Sequence, residues 1–237
     1  MSIPGCAGIR SLSLGIIGGA GPMASVLLYK KLIEKCQQRY GCKDDGDFPK
    51  IWIVNYPFSS MLGCSDSRLN QKRITSELQE CLDALSALGV DRIGIACNTL
   101  HTFLSGCRFI PFGLIPLSDL VKQQLSRCRP GKLLVLGTET TVQSGVYEYS
   151  KNQTVYPSKA DQILVSSVID RVLAGHLKKD DSKLLENVVT GYIHLQADAV
   201  LIGCTEISVL VDAEPFQKWT GLVMDPLELL AEALIKI

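Results

Sequence analysis

The feature that most constrains the fold is a short apolar run ending in a cysteine, which occurs twice along the chain. The two segments are DRIGIAC, from Asp91 to Cys97, and DAVLIGC, from Asp198 to Cys204. A short apolar run bounded by polar residues is typical of a strand buried in a parallel sheet. Its repetition indicates two halves of the chain that present matched thiols to one site.

Predicted strands and helices alternate through both halves of the chain. Strands are predicted at 11–17, 50–55, 92–96, 132–136 and 199–202. Helices are predicted at 23–38, 68–88, 142–150, 160–174, 182–196 and 227–237. This order predicts an α/β fold with two similar domains, each a parallel sheet flanked by helices, and ligands at the carboxyl ends of the strands. We expect an N-terminal domain of residues 1–116, to which 222–237 returns, and a C-terminal domain of residues 117–221.

Composition narrows the class of protein. The chain has 237 residues, 46% of them hydrophobic, and 24 basic side chains balance 24 acidic ones. No segment concentrates positive charge, so we expect no nucleic-acid partner. The N-terminus lacks the pattern of a signal peptide, and no apolar run approaches the roughly 20 residues that span a bilayer. We therefore expect a cytoplasmic protein with reduced thiols and no membrane association.

The two repeated cysteines differ from the others because polar residues follow them directly. Asn98 and Thr99 follow Cys97, and Thr205 and Glu206 follow Cys204. Free thiols titrate near pH 8.5, so one thiolate can remove a proton from carbon while the other thiol returns one to the opposite face. The expected product is the mirror-image centre. The remaining cysteines considered are interpreted as small buried residues: Cys36, Cys42, Cys64, Cys81, Cys107 and Cys128.

The glycine turn at 18–22 allows a different interpretation. Gly19-x-Gly21-x-x-Ala24 matches a dinucleotide fingerprint, which keeps a nicotinamide-dependent dehydrogenase as an alternative from another class. The second strand, however, ends in Asn55 where that fold uses an acidic residue for the ribose. The turn can equally close a tight connection, with Pro22 at the first helical position, or contact an anion or substrate.

Two further motifs have a structural and a functional interpretation. Thr138 to Thr141 offers hydroxyls and backbone amides near a helix start, which suits a substrate carboxylate or a simple N-cap. His101 lies four residues after Cys97 and could reach the site, or it could be a satisfied core histidine. With three histidines, no H-x-x-x-H spacing and no metal-finger pattern of cysteines, no metal site is expected.

At these motifs the chain resembles the aspartate/glutamate racemase superfamily, the cofactor-independent amino-acid racemases. GGAGP at 18–22 resembles the family's G-G-x-G-P, and CNTLH at 97–101 its C-N-T-x-H. GCTE at 203–206 and the segment from Gly137 to Tyr147 resemble its G-C-T-E and G-T-x-x-T-x-x-S-x-x-Y motifs. Asp225-Pro226 resembles its closing acidic turn.

The resemblance implies two domains related by a pseudo-twofold, an active site in the cleft between them, an amino-acid substrate, no pyridoxal phosphate or other cofactor, and a homodimer. It makes Cys97 and Cys204 the two acid/base thiols. Glu206 would orient the second thiol or meet the substrate's ammonium group. The residues it places at the substrate's α-carboxylate and amino group are Asn98, Thr99, Thr141 and Thr205, beside the hydroxyl of Thr138 considered above.

The chain departs from the family pattern where a second substrate carboxylate would bind. Members that act on aspartate carry an Asp-Arg pair after the second strand and a lysine on a later helix; the equivalent positions here are Met61, Leu62 and Leu173. Leucine cannot replace a charge-assisted, bidentate arginine contact, unless Lys50 or Arg68 takes its place. A broader or less acidic amino-acid substrate is therefore expected.

Other reactions remain open at this point. Hydantoin racemisation, maleate isomerisation and decarboxylation of a malonate are carbon-acid reactions of the same superfamily, and the decarboxylases are expected to keep only one of the two thiols. A two-domain binding protein without catalysis is a further alternative.

Overall fold

The structure is a computed structural model that describes residues 6–59, 68–150, 152–213, 216, 219 and 221–237. The described strands are β1 (Ser13–Gly18), β2 (Lys50–Asn55), β3 (Arg92–Ile95), β4 (Leu133–Gly137), β5 (Thr154–Val155), β6 (Ala199–Gly203) and β7 (Leu222–Met224). The α-helices are α1 (Cys6–Arg10), α2 (Pro22–Tyr40), α3 (Arg68–Ala87), α4 (Leu117–Cys128), α5 (Glu139–Ser144), α6 (Lys159–Leu173), α7 (Asp181–Gly191), α8 (Thr205–Ala213) and α9 (Pro226–Leu234). Short 3₁₀-helices cover Asp45–Asp47, Thr99–Gly106 and Tyr192–Leu195.

The chain divides into two compact units. The first unit contains Met1–Leu117 and Leu227–Ile237, and the second contains Ser118–Pro226. Within 222–237, which the sequence prediction assigned to the N-terminal domain, β7 pairs with β6 in the sheet of the second unit, whereas residues from Leu227 onward belong to the first. The predicted domain boundaries stay a prediction.

The first unit has a parallel sheet in the order β2-β1-β3. The central strand β1 is fully buried at Leu14, Ile16 and Ile17, as expected for a parallel strand covered on both faces. Helix α9 packs closely on β3 because Gly94 has no side chain: a Cβ there would lie 2.9 Å from Cδ1 of Leu234. The C-terminal helix is thereby part of the core of this unit.

Helix α2 follows β1 and begins at Pro22, one residue before the predicted start of 23, so the proline takes the first helical position that the structural interpretation of the turn expected. It ends at Gly41, whose left-handed φ of 69° allows its N–H to reach the carbonyls of the last turn. Lys31 and Lys35 form ion pairs with Glu228 on α9. Burial raises the pKa of Glu228, but the hydrogen bonds from both lysines outweigh it, so the pKa is lowered.

The second unit has a parallel sheet in the order β5-β4-β6-β7. Strands β4 and β6 run in register from Leu133 opposite Ala199 to Gly137 opposite Gly203. All residues of both strands are buried, and helices α6, α7 and α8 contribute apolar side chains to the same core. The two central strands therefore end side by side.

The repeated aspartates before the cysteine strands have the same structural role in the two units. Asp91 accepts a hydrogen bond from the backbone N–H of Ser13 at 2.7 Å, at the start of β1. Asp198 accepts from the N–H groups of Gly131 and Lys132 at 2.9 and 3.0 Å, just before β4. Each carboxylate thus ties the beginning of one central strand to the beginning of its neighbour.

Two predicted helices differ from the observed ones at their ends. The helix predicted at 142–150 is α5, which starts earlier because Thr138 caps it and stops at Gly145, where φ is 62°. The helix predicted at 182–196 ends as α7 at Gly191 and continues as a 3₁₀-helix to Leu195, where Gln196 has a left-handed φ of 63°. Within the part of the chain that the structure describes, no helix has the length and apolar character needed to cross a membrane.

Candidate active site

Cys97 lies in the turn that leaves the carboxyl end of β3. Ala96 still donates to the carbonyl of Ile17 in β1 at 2.9 Å, so the sheet extends almost to the thiol. Cys97, Asn98 and Thr99 are all buried, and the 3₁₀-helix Thr99–Gly106 begins directly after them. The three residues predicted for this half of the site are therefore consecutive at one sheet edge.

His101 contacts the backbone of this turn. The ring Nδ1 lies 2.8 Å from the carbonyl oxygen of Cys97, and the histidine N–H donates to the carbonyl of Asn98 at 3.2 Å. Because a carbonyl only accepts, Nδ1 carries the proton in this contact. His101 is 7% exposed. This geometry favours a core histidine that fixes the shape of the cysteine turn.

The glycine turn leaves β1 beside the cysteine turn of β3. Gly19 has φ of 97°, and a Cβ at this position would lie 2.1 Å from the carbonyl oxygen of Tyr56. The N–H of Tyr56 donates to the carbonyl of Gly18 at 3.0 Å, and the N–H of Gly19 donates to the hydroxyl of Ser25 at 3.3 Å. The close approach of the Tyr56 backbone accounts for Gly19 without a dinucleotide.

Cys204 directly follows the last residue of β6 and is 3% exposed. Its thiol donates to Oε2 of Glu206 at 3.0 Å, and the hydroxyl of Thr205 donates to the same oxygen at 3.3 Å. The carbonyl of Cys204 accepts from the N–H of Ile207 at 3.1 Å in the first turn of α8. The Glu206 carboxylate is therefore the hydrogen-bond acceptor beside the Cys204 thiol.

Thr138 and Thr141 follow β4, whose last residue pairs with the residue before Cys204. The Thr138 hydroxyl accepts from the N–H of Thr141 at 3.2 Å and donates to its hydroxyl at 3.1 Å. Thr138 is thus the N-cap of α5, the structural role considered for it, while both hydroxyls lie at the sheet edge that carries Cys204. The second unit gathers the residues predicted for it: Thr138, Thr141, Cys204, Thr205 and Glu206.

The remaining thiols have other surroundings. Cys36, Cys42 and Cys81 are buried as predicted, and burial raises the pKa of Cys36 and of Cys81 to about 12. Cys107 is partly exposed, and Cys128, the last residue of α4, is exposed, so the prediction that both are buried is wrong. Sequence pattern misplaces Cys128 because it lies on the solvent side of the helix. Cys64 lies outside the described residues.

Most positions weighed for a second substrate carboxylate lie away from these turns or outside the described residues. Met61 and Leu62 belong to the latter group. Lys50 is the first residue of β2, and the carboxyl end of that strand lies five residues, about 16 Å, further along. Leu173 is the last residue of α6 and 44% exposed. Arg68, the first residue of α3, lines a cavity of about 610 Å³ in the first unit.

Gln162 of α6 contacts the carboxyl edge of the sheet in the second unit, a contact that the motifs of the sequence do not predict. Its amide nitrogen donates to the carbonyl of Gly137, the last residue of β4, at 3.0 Å. The sequence signal that could identify Gln162 is its position in the apolar stripe of α6, with Val165, Ile169 and Val172 at helical spacing. Among the described residues, no group of three or more His, Cys, Asp or Glu side chains is arranged to hold a metal ion.

Comparison with known proteins places this chain in a family. A family model described as Asp/Glu/Hydantoin racemase matches residues 17–234. The chain belongs to this family. The resemblance read from the glycine and cysteine motifs is thereby confirmed, and as a member of a racemase family the protein is an isomerase that acts on a small molecule.

Individual relatives extend over most of the chain. The broad specificity amino-acid racemase RacX of Bacillus subtilis (strain 168) is 25% identical over 204 residues, 84% of this chain and 87% of RacX. The glutamate racemase of Aquifex aeolicus (strain VF5) is 28% identical over 149 residues, 60% of this chain and 56% of that enzyme.

A solved structure with the same architecture is the aspartate racemase of Picrophilus torridus. It matches with a TM-score of 0.78 and 28% identity, covering 95% of this chain and 94% of that one. The predicted α/β class, with parallel sheets flanked by helices, is confirmed.

Proposed function

We propose that this member of the racemase family is a cofactor-independent amino-acid racemase that uses Cys97 and Cys204 as its two acid/base groups. The observation that carries the proposal is the equivalent placement of the two thiols. Each follows a buried parallel strand directly or after one residue, at the edge where parallel sheets bind ligands. A duplicated thiol is what proton transfer at the two faces of one carbon requires.

In the proposed reaction one thiolate takes the proton from Cα, the C–H electron pair stays on carbon, and the opposite thiol delivers a proton to the other face. The contact of Cys204 with Glu206 supports Cys204 as the thiol that starts with its proton for one enantiomer. Cys97 is then the base for that enantiomer, and the roles exchange for the other. No redox or group-transfer partner enters this balance.

The polar residues around the thiols supply substrate contacts in this proposal. The groups considered are Asn98 and Thr99 beside Cys97, and the hydroxyls of Thr138, Thr141 and Thr205 near Cys204. These groups suit an α-carboxylate, which accepts hydrogen bonds. Glu206 would hold the Cys204 thiol and carry negative charge near the substrate's ammonium group.

We infer a broad range of amino-acid substrates rather than aspartate alone. The leucine at position 62 supports this, because its side chain cannot pair with a second carboxylate. The similarity to RacX, which is named for broad specificity, also supports it. The family model also covers hydantoin racemases, so a substituted hydantoin belongs among the compounds to be tested.

The experiment is a panel of single enantiomers incubated with the protein in D₂O. The panel includes aspartate, glutamate, neutral amino acids and one substituted hydantoin, and mass spectrometry with chiral chromatography follows deuterium at Cα and the opposite enantiomer. We expect several amino acids to exchange and invert. Exchange of the hydantoin alone, or of no compound, would contradict the proposal.

We also infer that the protein forms a homodimer. Support comes from apolar side chains exposed in the first unit, on the edge strand β2 at Trp52 and Ile53 and on α2 at Met23 and Val26. Sedimentation equilibrium should give twice the chain mass of 25.8 kDa. A monomer at the concentration of the activity assay would contradict this inference.

A further inference from the structure

Gln162 is a polar residue in the buried stripe of α6. Its side chain is only 9% exposed, and the residues that share its side of the helix, Val165, Val168, Ile169 and Val172, are all buried. Buried amide groups in proteins are normally hydrogen-bonded through both ends. Both the nitrogen and the oxygen of the Gln162 amide are therefore expected to have hydrogen-bond partners.

The orientation of the Gln162 amide follows from its partners. Its nitrogen donates to the carbonyl oxygen of Gly137 at 3.0 Å and to the hydroxyl of Ser166 at 3.2 Å. Since a backbone carbonyl only accepts, the nitrogen end of the amide must face Gly137. Both amide hydrogens are thereby used.

The oxygen end of the same amide is buried and has no hydrogen-bond partner among the described residues. An amide oxygen can accept two hydrogen bonds, and leaving it buried without a donor is unfavourable. The arrangement is explained if a donor arrives with a bound molecule.

The place of Gln162 in the fold connects it with the proposed chemistry. Its partner Gly137 is the last residue of β4 and lies opposite Gly203, the residue before Cys204. Gln162 is therefore anchored at the carboxyl edge of this sheet, where α/β proteins bind their ligands. Leu173, at the far end of the same helix, is about 16 Å away along its axis.

We propose that Gln162 is a substrate-binding residue whose Oε1 accepts a hydrogen bond from the α-ammonium group of the amino acid. The inference rests on the proposed racemase function and adds a residue to it. A neutral amide oxygen cannot bind the carboxylate, which has no donor. The ammonium is the donor attached to Cα in an α-amino acid whatever its side chain, which fits a broad substrate range.

The test compares ligands with and without that ammonium group. Calorimetry measures the binding of glutamate against glutarate and of methionine against 4-(methylthio)butyrate, which lack only the amino group. The proteins are the wild type, Gln162→Met and the matched control Ser166→Ala, which keeps the Gly137 contact and Oε1. Gln162→Asn, which withdraws the oxygen by one methylene group, replaces Gln162→Met if that variant does not fold.

We expect Gln162→Met to weaken both amino acids about ten-fold or more, as for a lost hydrogen bond to a charged group, and both deamino acids less than two-fold. Ser166→Ala should change none of the four by more than two-fold. An equal loss for amino and deamino ligands, no loss, or a loss for glutamate only would overturn the inference. Because the calorimetric comparison reports binding whether or not the ligand is turned over, these results are distinct from a failure of racemase activity in the deuterium panel.

Discussion

The two cysteine turns occupy equivalent places in their units but have different surroundings. Both follow a buried strand whose leading aspartate ties it to the neighbouring strand. In the second unit the thiol of Cys204 donates to Glu206, two residues further on. The equivalent residue in the first unit is Thr99, and there His101 holds the backbone carbonyl of Cys97 instead. A duplicated scaffold thus carries two cysteine turns with different hydrogen bonds around them.

The neighbouring turns differ in the same way. The first unit leaves β1 through Gly19 and Gly21, both with positive φ, and Gly19 packs against the backbone of Tyr56. The second leaves β4 through Thr138, which caps α5 with its side chain. Both solutions end a parallel strand and start a helix, but in the second unit the residues that follow the strand, Thr138 and Thr141, themselves carry hydroxyl groups. The second unit therefore supplies more of the side chains that we propose as substrate contacts.

Removing either thiol should have the largest effect. Cys97→Ala and Cys204→Ala should each slow racemisation about 10²- to 10⁴-fold, the usual contribution of a general acid or base. Any residual deuteration at Cα should occur with opposite enantiomers in the two variants, because each retains the thiol on one face. Chiral chromatography with mass spectrometry measures both.

The exposed thiol of Cys128 provides the control for these variants. Cys128→Ala should keep the wild-type rate. If either site variant retains more than a tenth of the wild-type rate, the thiols are not an acid/base pair.

The charged contacts of the units also differ, and the buried one should matter more for stability. Asp181 is nearly buried and accepts from Nε of Arg171 at 3.1 Å and from Nη2 at 2.6 Å. Asp181→Asn should lower the free energy of unfolding by about 3 kcal/mol, because it leaves a partly buried guanidinium without its partner. Glu228 of the first unit is more exposed, and Glu228→Gln should lower the free energy of unfolding by about 1 kcal/mol or less. Urea titration measures both.

The pH dependence of the Asp181 contribution has a definite sign. Hydrogen bonds from Arg171 lower the pKa of Asp181 in the folded protein. Its stabilisation is therefore complete above the ordinary carboxyl pKa of about 4 and is lost as the pH falls through the lowered value. The advantage of the wild type over Asp181→Asn should shrink in acid. An advantage that is unchanged down to pH 2 would contradict this assignment.

Substitutions of Glu206 test the carboxylate that contacts the Cys204 thiol in this comparison. Glu206→Gln keeps an acceptor beside Cys204 but removes the charge, and we expect kcat/KM to fall about ten-fold, the smaller end of the range for hydrogen bonds with a charged group. Glu206→Ala should lose more. Glu139→Gln, an exposed carboxylate on α5, is the matched control and should be neutral. Equal kcat/KM for wild type and Glu206→Ala would remove Glu206 from the site.

A small effect on stability is expected at the threonine cap. Thr138→Ala removes the side-chain acceptor for the N–H of Thr141 and should cost about 1 kcal/mol of stability. Thr140→Ala, in the same turn, serves as the control and should change stability by only a few tenths of that amount. Thermal unfolding compares them. A neutral Thr138→Ala would show that the cap is not needed to start α5.

Much of this organisation could be predicted because it is local. The apolar runs before Cys97 and Cys204 identify buried strands, and Pro22 identifies the start of α2. The exposed position of Cys128 and the early end of α5 at Gly145 depend on which side of a helix meets the core and on one positive φ. Neither is encoded in apolar periodicity alone.

The contact of Gln162 with Gly137 is harder to predict, because it joins residues 25 positions apart across a helix and a strand. A glutamine in an apolar stripe signals only that some partner exists. The hydrogen bond from Cys204 to Glu206 is close in sequence, but its direction depends on the side-chain conformations in the turn. Residue types at the site were therefore predictable, whereas their pairing required the fold.

The most direct test of the two-thiol account is the deuterium content of both enantiomers at low conversion in D₂O. One thiol removes the substrate proton, and the other, already exchanged with solvent, delivers deuterium to the opposite face. The account predicts that the newly formed enantiomer is fully deuterated while the remaining substrate keeps its protium, starting from either enantiomer. Product that retains the original protium would indicate a single base acting on both faces and would contradict the account.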